Sequence, residues 1–350
     1  MTRVARWATV AAAACALATA GCGLFGRSSS GNRELVAISY GGPTQVPHRR
    51  FLADPFEAAH GSVKVTLVAS ESEDVVAQIK AGGGASPYDV IPLGEPRQIM
   101  AIEEGWIERT PLDALPNLEA VHPHFREACR DHGVPETYSL MGLAYNPSRV
   151  PRPEAWADLW KPEFRGHVGL TTPASNLGFA FVVLTAKLFG GSEADVEPAW
   201  PQIRNLEPFV VASNPTALAQ LFERNEIAVA PLWSNDAAVL AGRGLNVRFV
   251  QPAPGALILV SCLDVIRATA HPELARDYIN RAISREYQAQ AVQAPWFFGP
   301  TNRHVKIPSE AGDYLPASFE DVAKLMRLDW EVGTRVRGAV TARFNREFRR

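Results

Sequence analysis

The feature that most constrains the fold is an alternation of strand-like and helix-like segments early in the chain. The strand-like segments are 34–42, 62–70 and 88–94, and the helix-like segments between them are 51–61 and 72–84. This order is typical of an α/β layer with a mainly parallel sheet. Ligands of such sheets bind beyond the carboxyl ends of the strands, so the loops at 40–42 and 94–95 are predicted to face a ligand site.

The later chain repeats the same alternation. The run YSLMGLAYN at 138–146 predicts a strand that leads from a first lobe to a second. In the second lobe, the sequence at 175–191 predicts a strongly apolar helix. A β-rich run at 256–266 is placed to return to the first lobe. The length of 350 residues and the 47% hydrophobic composition are enough for two medium-sized α/β lobes.

The N-terminal residues 1–21 have the organisation of a secretion signal. Arg3 and Arg6 precede the apolar stretch 7–20, which is shorter than the ~20 residues that a membrane-spanning helix needs. The following Cys22 stands where a bacterial lipobox places its lipidated cysteine, although Thr19 replaces the usual Leu, Val or Ile. Residues 22–33 then read as a lipidated cysteine and a flexible tether. Cleavage without a lipid and a buried N-terminal helix are the alternatives.

The net charge and the cysteine content limit the classes of partner and the kinds of site that this chain can have. The formal net charge is −2, so the chain lacks the basic character of a nucleic-acid-binding protein. Export places Cys129 and Cys262 in an oxidising compartment, where they either pair or are simply buried. Neither cysteine belongs to a C-x-x-C motif, which argues against a zinc or thiol redox site.

Six segments resemble one protein family and occur in that family's order. They are YGG at 40–42, PYDV at 87–90, GLAYN at 142–146, WADLWKPEFRG at 156–166, NEIAVAPLWSNDAA at 225–238 and FFGPTN at 297–302. Together with the secretion signal, these motifs are similar to those of the extracytoplasmic solute-binding proteins of bacterial ABC importers. The resemblance is to the branch that binds the polyamines spermidine and putrescine.

This resemblance implies a two-lobed periplasmic-binding-protein fold, type II-like, with a ligand cleft between the lobes. Each lobe would be a mixed, mainly parallel sheet flanked by helices. The predicted divisions are 34–137 plus 258–305 for lobe 1, and 138–257 plus 306–350 for lobe 2. The resemblance also implies delivery of the solute to a membrane permease driven by an ATPase. We further expect a monomer that is anchored through Cys22 and has no cofactor or metal.

The family's aromatic ligand contacts map onto four residues of this chain. By motif position these are Tyr40, Tyr138, Trp233 and Phe298. Aromatic faces hold aliphatic chains or cations, and a cation contact contributes ~0.5–2 kcal/mol. Ordinary core packing is the alternative for each of them. Gly41 and Gly42, which follow Tyr40, would complete this wall.

The acidic ligand contacts of polyamine binders are absent from their usual places. The loop after the lobe-two strand contains Ser175 and Asn176, and the returning strand has Ser261 instead of an aspartate. A buried ammonium needs a counter-charge. The carboxylates that could supply it are Glu95, Asp236 and Glu331, each of which could instead be a solvated or capping charge. We therefore expect a small polar or monocationic solute at least as readily as a polyamine.

Two other functional classes stay open at this stage. The chain has no G-x-S-x-G, H-E-x-x-H or P-loop motif, and His122 and His124 have no metal-ligating partners at suitable spacing. An enzyme is therefore disfavoured, although a fold alone does not determine function. A lipoprotein that passes its ligand to a signalling partner is the other alternative.

Overall fold

A computed structural model describes residues 33–41, 45–207 and 209–348. The predicted secretion signal 1–21, the predicted lipidation site Cys22 and nearly all of the tether 22–33 lie outside the described residues. So does the candidate ligand residue Gly42.

Ten strands form the sheets in the described part of the chain. They are β1 (Arg33–Ser39), β2 (Val63–Ala69), β3 (Val90–Gly94), β4 (Val134–Tyr145), β5 (Gly169–Thr171), β6 (Val210–Ala212), β7 (Val229–Trp233), β8 (Arg248–Val250), β9 (Leu257–Val265) and β10 (Gly299–Pro300).

The helices lie between these strands. They are α1 (Gln45–Pro47), α2 (Asp54–His60), α3 (Ser72–Ala81), α4 (Glu95–Glu103), α5 (Pro123–Arg126), α6 (Asn176–Leu188), α7 (Ala199–Asn205), α8 (Pro215–Glu223), α9 (Ser234–Gly242), α10 (Pro272–Ala282), α11 (Arg285–Ala291), α12 (Phe319–Val322) and α13 (Trp330–Phe348). A π-helical segment, His48–Ala53, joins α1 to α2, and short 3-10 turns occur at Leu112–Ala114, Pro116–Ala120, Trp156–Trp160, Pro162–Phe164 and Ser309–Ala311.

The first part of the chain forms the predicted α/β layer. Strand β1 pairs in parallel with both β2 and β3. The late strand β9 returns between β3 and β4 and runs antiparallel to both, which confirms the return predicted for 256–266. All nine residues of β9 are buried, because this strand lies in the middle of the sheet with both faces covered.

The second part of the chain is built on the far end of β4. This twelve-residue strand pairs with β7 and β8 near its carboxyl end. Strands β5 and β6 form a parallel pair, which a bridge between Val168 and Val229 joins to β7. Helix α6 is buried at every position from Asn176 to Ala186, as its uniformly apolar sequence predicts.

Two features tie distant segments together. Cys129 and Cys262 form a disulfide with their Cα atoms 5.7 Å apart, so the pairing that the sequence left open is made. The C-terminal helix α13 packs against α4 of the first part and α6 of the second.

Strands β4 and β9 each run through the predicted lobe boundaries, and the exact division into lobes stays a prediction.

Candidate binding cleft

A cleft of about 720 Å³, including its open mouth, lies where the two parts of the fold meet. The residues that line it come from strand ends, helix starts and the middle of two long strands. They are Tyr40, Gly41, Glu71, Ser72, Glu73, Thr137, Ser139, Asn176, Leu177, Pro215, Thr216, Trp233, Asn235, Asp236, Leu259, Ser261 and Phe298.

The topology explains why these residues meet. Tyr40 follows β1, Glu71 follows β2, and Trp233 ends β7. The first turns of α6 and α8 follow β5 and β6 in the same way. The carboxyl ends of the parallel strands and the N-termini of the helices after them therefore line the cleft, which is the usual ligand position of an α/β sheet.

Side-chain alternation in the two long strands decides which of their residues line the cleft. Thr137 and Ser139 of β4 line it, as do Leu259 and Ser261 of β9. Successive side chains of a strand point to opposite faces of the sheet. Tyr138 therefore lies on the face away from the cleft. There it is fully buried and stacks on Phe125, with 5.1 Å between ring centroids.

Three of the four predicted aromatic residues line the cleft. The Tyr40 hydroxyl lies 2.8 Å from Ser261 Oγ and 3.4 Å from Ser72 Oγ, which fixes the position of the ring. Burial raises the pKa of Tyr40, so the phenol stays neutral. Trp233 is partly buried against the core, and Phe298 is buried.

Three carboxylates give the cleft an acidic side. Burial raises the pKa of Asp236 to about 7. Burial, and then the charge of Asp236, raises the pKa of Glu71 to about 7 as well. Burial and the charge of Glu71 raise the pKa of Glu73 to about 7, against the lowering effect of Arg97. Glu71 accepts a hydrogen bond from Thr216 Oγ1 at 2.9 Å, which links α3 to α8 across the cleft.

The predicted residue Asn176 also lines the cleft, and Gly94 makes room for it. A Cβ atom at position 94 would lie 2.6 Å from Asn176 Nδ2, which is closer than real Cβ atoms approach. A glycine at the end of β3 therefore allows the amide to pack against the backbone. Seven of the predicted residues line the cleft in all: Tyr40, Gly41, Asn176, Trp233, Asp236, Ser261 and Phe298.

Besides Tyr138, three predicted residues are not among those that line the cleft. Ser175 is fully buried as the N-cap of α6, where its Oγ accepts the Gly178 N–H at 3.0 Å. Glu95 is buried at the start of α4 and accepts the Val260 N–H at 3.1 Å. Glu331 is exposed and lies 3.3 Å from Arg130 in an ion pair.

Glu71, Glu73 and Thr216 line the cleft but were not predicted from the sequence. The loops after the first and third strands were predicted to face a ligand and the loop after the second was not, although all three strands are parallel neighbours. The signal was present, because SESED at 70–74 places three carboxylates directly after a strand and at the start of a helix.

None of the helices in the described part of the chain combines the length and apolar character that crossing a bilayer requires. The described residues also contain no group of three or more His, Cys, Asp or Glu side chains placed to hold a metal ion.

Comparison with known proteins agrees with the fold. Residues 52–314 match the family model of bacterial extracellular solute-binding proteins. The spermidine/putrescine-binding periplasmic protein 1 of Haemophilus influenzae is 26% identical over 243 residues, which are 67% of this chain and 67% of that protein. The corresponding protein of Escherichia coli is 23% identical over 241 residues, or 65% of this chain and 68% of that one.

A solved structure supports the two-lobed fold. The periplasmic binding protein AgtB of A. tumefaciens R10, in complex with agropinic acid, superposes with a TM-score of 0.77 at 22% identity. The match covers 91% of this chain and 99% of that one. With a family model that spans most of its length, this chain belongs to the bacterial extracellular solute-binding proteins, and it is a solute-binding protein of the ABC-transporter class rather than an enzyme.

Proposed function

We propose that this protein is the substrate-binding lipoprotein of an ABC importer and that it captures a small organic cation in the cleft. The observation that carries this proposal is that Glu71 and Asp236, whose charges interact, line the same cleft as Trp233. Aromatic faces attract cations, and desolvated carboxylates supply the counter-charge that a buried cation needs.

The two carboxylates belong to different parts of the fold. Glu71 follows β2 of the first sheet, whereas Asp236 follows β7 of the second part. Each is close enough to the other for their charges to interact, and this repulsion disfavours both being ionised in the empty cleft. A bound cation replaces that repulsion with attraction to both sides. Ligand binding therefore favours the closed arrangement of the cleft.

The names of two relatives support an organic cation as the ligand. Two relatives named for spermidine and putrescine binding share about a quarter of their aligned residues with this chain. The loop at 173–176, where polyamine binders carry an acidic pair, is neutral here. Glu71 and Asp236 supply the negative charge from other elements.

We propose closure between lobe 1, residues 34–137 plus 258–305, and lobe 2, residues 138–257 plus 306–350. The closed, loaded form would then be recognised by a permease and its ATPase. Lipidation of Cys22 would hold the protein at the membrane on the outer side. Substitution Cys22→Ala is expected to move the protein from the membrane fraction to the soluble fraction, and an unchanged distribution would remove the anchor from the proposal.

Calorimetry tests the ligand class. The purified protein is titrated with small primary amines, diamines and polyamines, and with uncharged alcohols of the same length. We expect saturable binding of at least one amine-bearing solute and none of the alcohols. Equal binding of amines and alcohols, or no binding of any amine, would contradict the proposal.

A matched pair of variants locates the counter-charge. Asp236→Asn is expected to weaken amine binding about thirtyfold or more, because truncating one partner of a buried charge pair costs ~2–5 kcal/mol. Asp113→Asn is the control, since it makes the same charge change at an exposed position in the 3-10 turn Leu112–Ala114, away from the residues that line the cleft. The control is expected to stay within about twofold of the parent protein.

A further inference from the structure

The amide of Asn176, a residue that lines the cleft, has one hydrogen-bonded end and one unpaired donor end. Asn176 is 8% exposed, and its Oδ1 accepts a hydrogen bond from Arg337 Nη1 at 2.8 Å. A guanidinium can only donate, so the amide oxygen must face Arg337 and Nδ2 must point the other way. Within the described residues, no acceptor takes a hydrogen bond from Nδ2. A ligand in the cleft that Asn176 lines can therefore supply that acceptor.

Two guanidinium groups lie behind this amide. Arg97 Nη2 and Arg337 Nη2 both donate to the carbonyl oxygen of Ala174, at 2.5 and 2.8 Å. Arg337 is 5% exposed, and burial followed by the charge of Arg97 lowers its pKa well below the ordinary value. Glu73 is the carboxylate whose charge acts on both arginines.

The charge balance of this region is positive. Two guanidinium groups face one carboxylate, and protonation of Glu73, whose pKa lies at about 7, makes the region more positive still. The thirteen-residue helix α6 begins at Asn176, so its N-terminus adds positive partial charge at the same place. We call Asn176, Arg97 and Arg337 the basic corner, and Glu71 with Asp236 the acidic corner.

We infer that the solute is a zwitterion, with an ammonium group held at the acidic corner and a carboxylate or similar anionic acceptor held by Asn176 Nδ2 at the basic corner. This inference rests on the proposed capture of an organic cation and narrows it. A second ammonium, as in a diamine, would place an N–H donor against the Asn176 N–H donor and the field of two arginines. Arg337 is a positioning residue here, because it acts on the ligand through Asn176.

A series of solutes with matched chains tests the inference. The purified protein is titrated by calorimetry with γ-aminobutyrate, putrescine, butylamine and butyrate, which share a four-carbon chain and differ only in their terminal charges. The shorter and longer homologues of each are included, because the structure does not set the chain length. The tightest zwitterion is expected to bind at least about tenfold better than the tightest diamine or monoamine, which corresponds to ~1.4 kcal/mol.

The possible outcomes separate this inference from the proposed function. If a diamine or polyamine binds more tightly than every zwitterion, the zwitterion inference is wrong and the capture of organic cations stands. If the monoamine binds as well as the zwitterion, the basic corner contributes nothing and the inference is again wrong. If no amine-bearing solute binds, both are wrong.

Substitution of Asn176 tests the donor directly. Asn176→Asp keeps the shape and the acceptor for Arg337, replaces the free donor with a carboxylate oxygen, and suits the first turn of a helix. It is expected to lower the preference for the zwitterion over the diamine by about tenfold or more. An unchanged preference would overturn the inference.

Substitution of Arg337 tests the positioning role. Arg337→Met is expected to weaken zwitterion binding about tenfold while leaving monoamine binding within about twofold, and Arg337→Lys is expected to restore part of the loss. Equal weakening for both solutes would show a purely structural role and would remove Arg337 from the inference. Should Arg337→Met fail to fold, Asn176→Asp decides.

Discussion

Two buried side-chain amides, those of Gln288 and Asn176, differ in how completely they are hydrogen-bonded. Gln288, which is 2% exposed, donates to the Glu136 carbonyl at 2.8 Å and to Thr301 Oγ1 at 3.0 Å. Its Oε1 accepts the backbone N–H groups of Thr301 and Asn302, each at 2.8 Å. Asn176 is also buried, but only its oxygen is hydrogen-bonded within the described residues.

The carboxylates show the same contrast. Asp158 accepts the Glu154 and Ala155 N–H groups at 2.7 and 3.0 Å and pairs with Lys161. Burial opposes its ionisation, but these hydrogen bonds outweigh it and lower the pKa of Asp158. Within the described residues, Asp236 accepts a single long hydrogen bond, from Asn235 Nδ2 at 3.5 Å, and burial raises its pKa to about 7.

The difference separates the polar groups that build the fold from those that serve a ligand. Buried polar groups are nearly always satisfied, because leaving one unpaired costs ~1–3 kcal/mol. A saturated network such as that of Gln288 stabilises one arrangement of the chain. Unused hydrogen-bonding capacity at the cleft, at Asn176 and Asp236, marks where an incoming solute contributes the missing partners.

The largest expected effect is on stability, and it comes from a substitution in the hydrogen-bond network of Gln288. Gln288→Leu should lower the free energy of unfolding by about 3 kcal/mol or more, because it leaves the Thr301 and Asn302 N–H groups unpaired. Urea denaturation measures this change. Asn176→Asp, which keeps its bonded oxygen, should change the free energy of unfolding by less than about 1 kcal/mol. Equal losses in the two variants would show that the contrast between the amides has no energetic basis.

The aromatic wall of the cleft gives the next largest effect. Trp233→Ala should weaken binding of the amine-bearing solute about five- to thirtyfold, since a cation contact with a tryptophan ring contributes ~0.5–2 kcal/mol besides the lost contact area. Calorimetry on the folded variant measures this. Trp106→Ala, at a partly buried position outside the cleft, is the control and should leave affinity unchanged. Loss of binding in both variants would indicate general damage to the fold.

The smallest expected effect is a dependence of ligand affinity on pH, which would distinguish the carboxylates of the cleft from Asp158. The pKa values of Glu71 and Asp236 are raised to about 7, so lowering the pH from about 8 to about 6 protonates them and weakens binding of a cation. Other charges face these groups. The pKa of neighbouring Glu73 is also raised to about 7, although the charge of Arg97 acts to lower it. The negative charge of the exposed Asp74 contributes to the raised pKa of Glu71. Calorimetry across this pH range tests the prediction. In Asp236→Asn the affinity should depend less on pH, because one of the titrating groups is gone.

The same raised pKa values have the opposite consequence for stability without ligand. Between the ordinary carboxyl pKa and about 7, the folded protein binds more protons at Glu71 and Asp236 than the unfolded chain does. The contribution of these groups to the free energy of unfolding therefore falls as the pH rises through that window. Thermal unfolding at several pH values measures it, and Asp236→Asn should reduce the slope. A slope that is the same in the parent and the variant would contradict the assignment.

Much of the fold was predictable from local pattern. The segments at 34–42, 62–70 and 88–94 are parallel neighbours in the sheet, and 256–266 returns to pair with the third of them. Apolar β-favouring runs and helical spacing are properties of short stretches of chain, so they can be read without knowing the tertiary structure. Trp233 and Asp236 were predictable in the same way, because Trp233 ends an apolar strand and Asp236 lies three residues after it.

Other parts of the cleft depended on pairing between distant segments. Tyr138 and Ser139 are neighbours in sequence, and only the placement of β4 decides that Ser139 lines the cleft and Tyr138 packs in the core. The sequence predicted that Cys129 and Cys262 either pair or are buried, and the meeting of the α5 region with β9 decided for the disulfide.

By itself, the sequence determined the α/β alternation, the resemblance to solute-binding proteins and several aromatic and polar residues of the cleft. Each of these follows from residue type and from spacing over a few positions. The tertiary structure alone decided that Glu71 and Asp236 come close enough for their charges to interact, and that Arg337 binds the oxygen of the Asn176 amide. Those relations join residues more than 150 positions apart, and charge and hydrogen-bond direction act over distances in space that sequence separation does not encode.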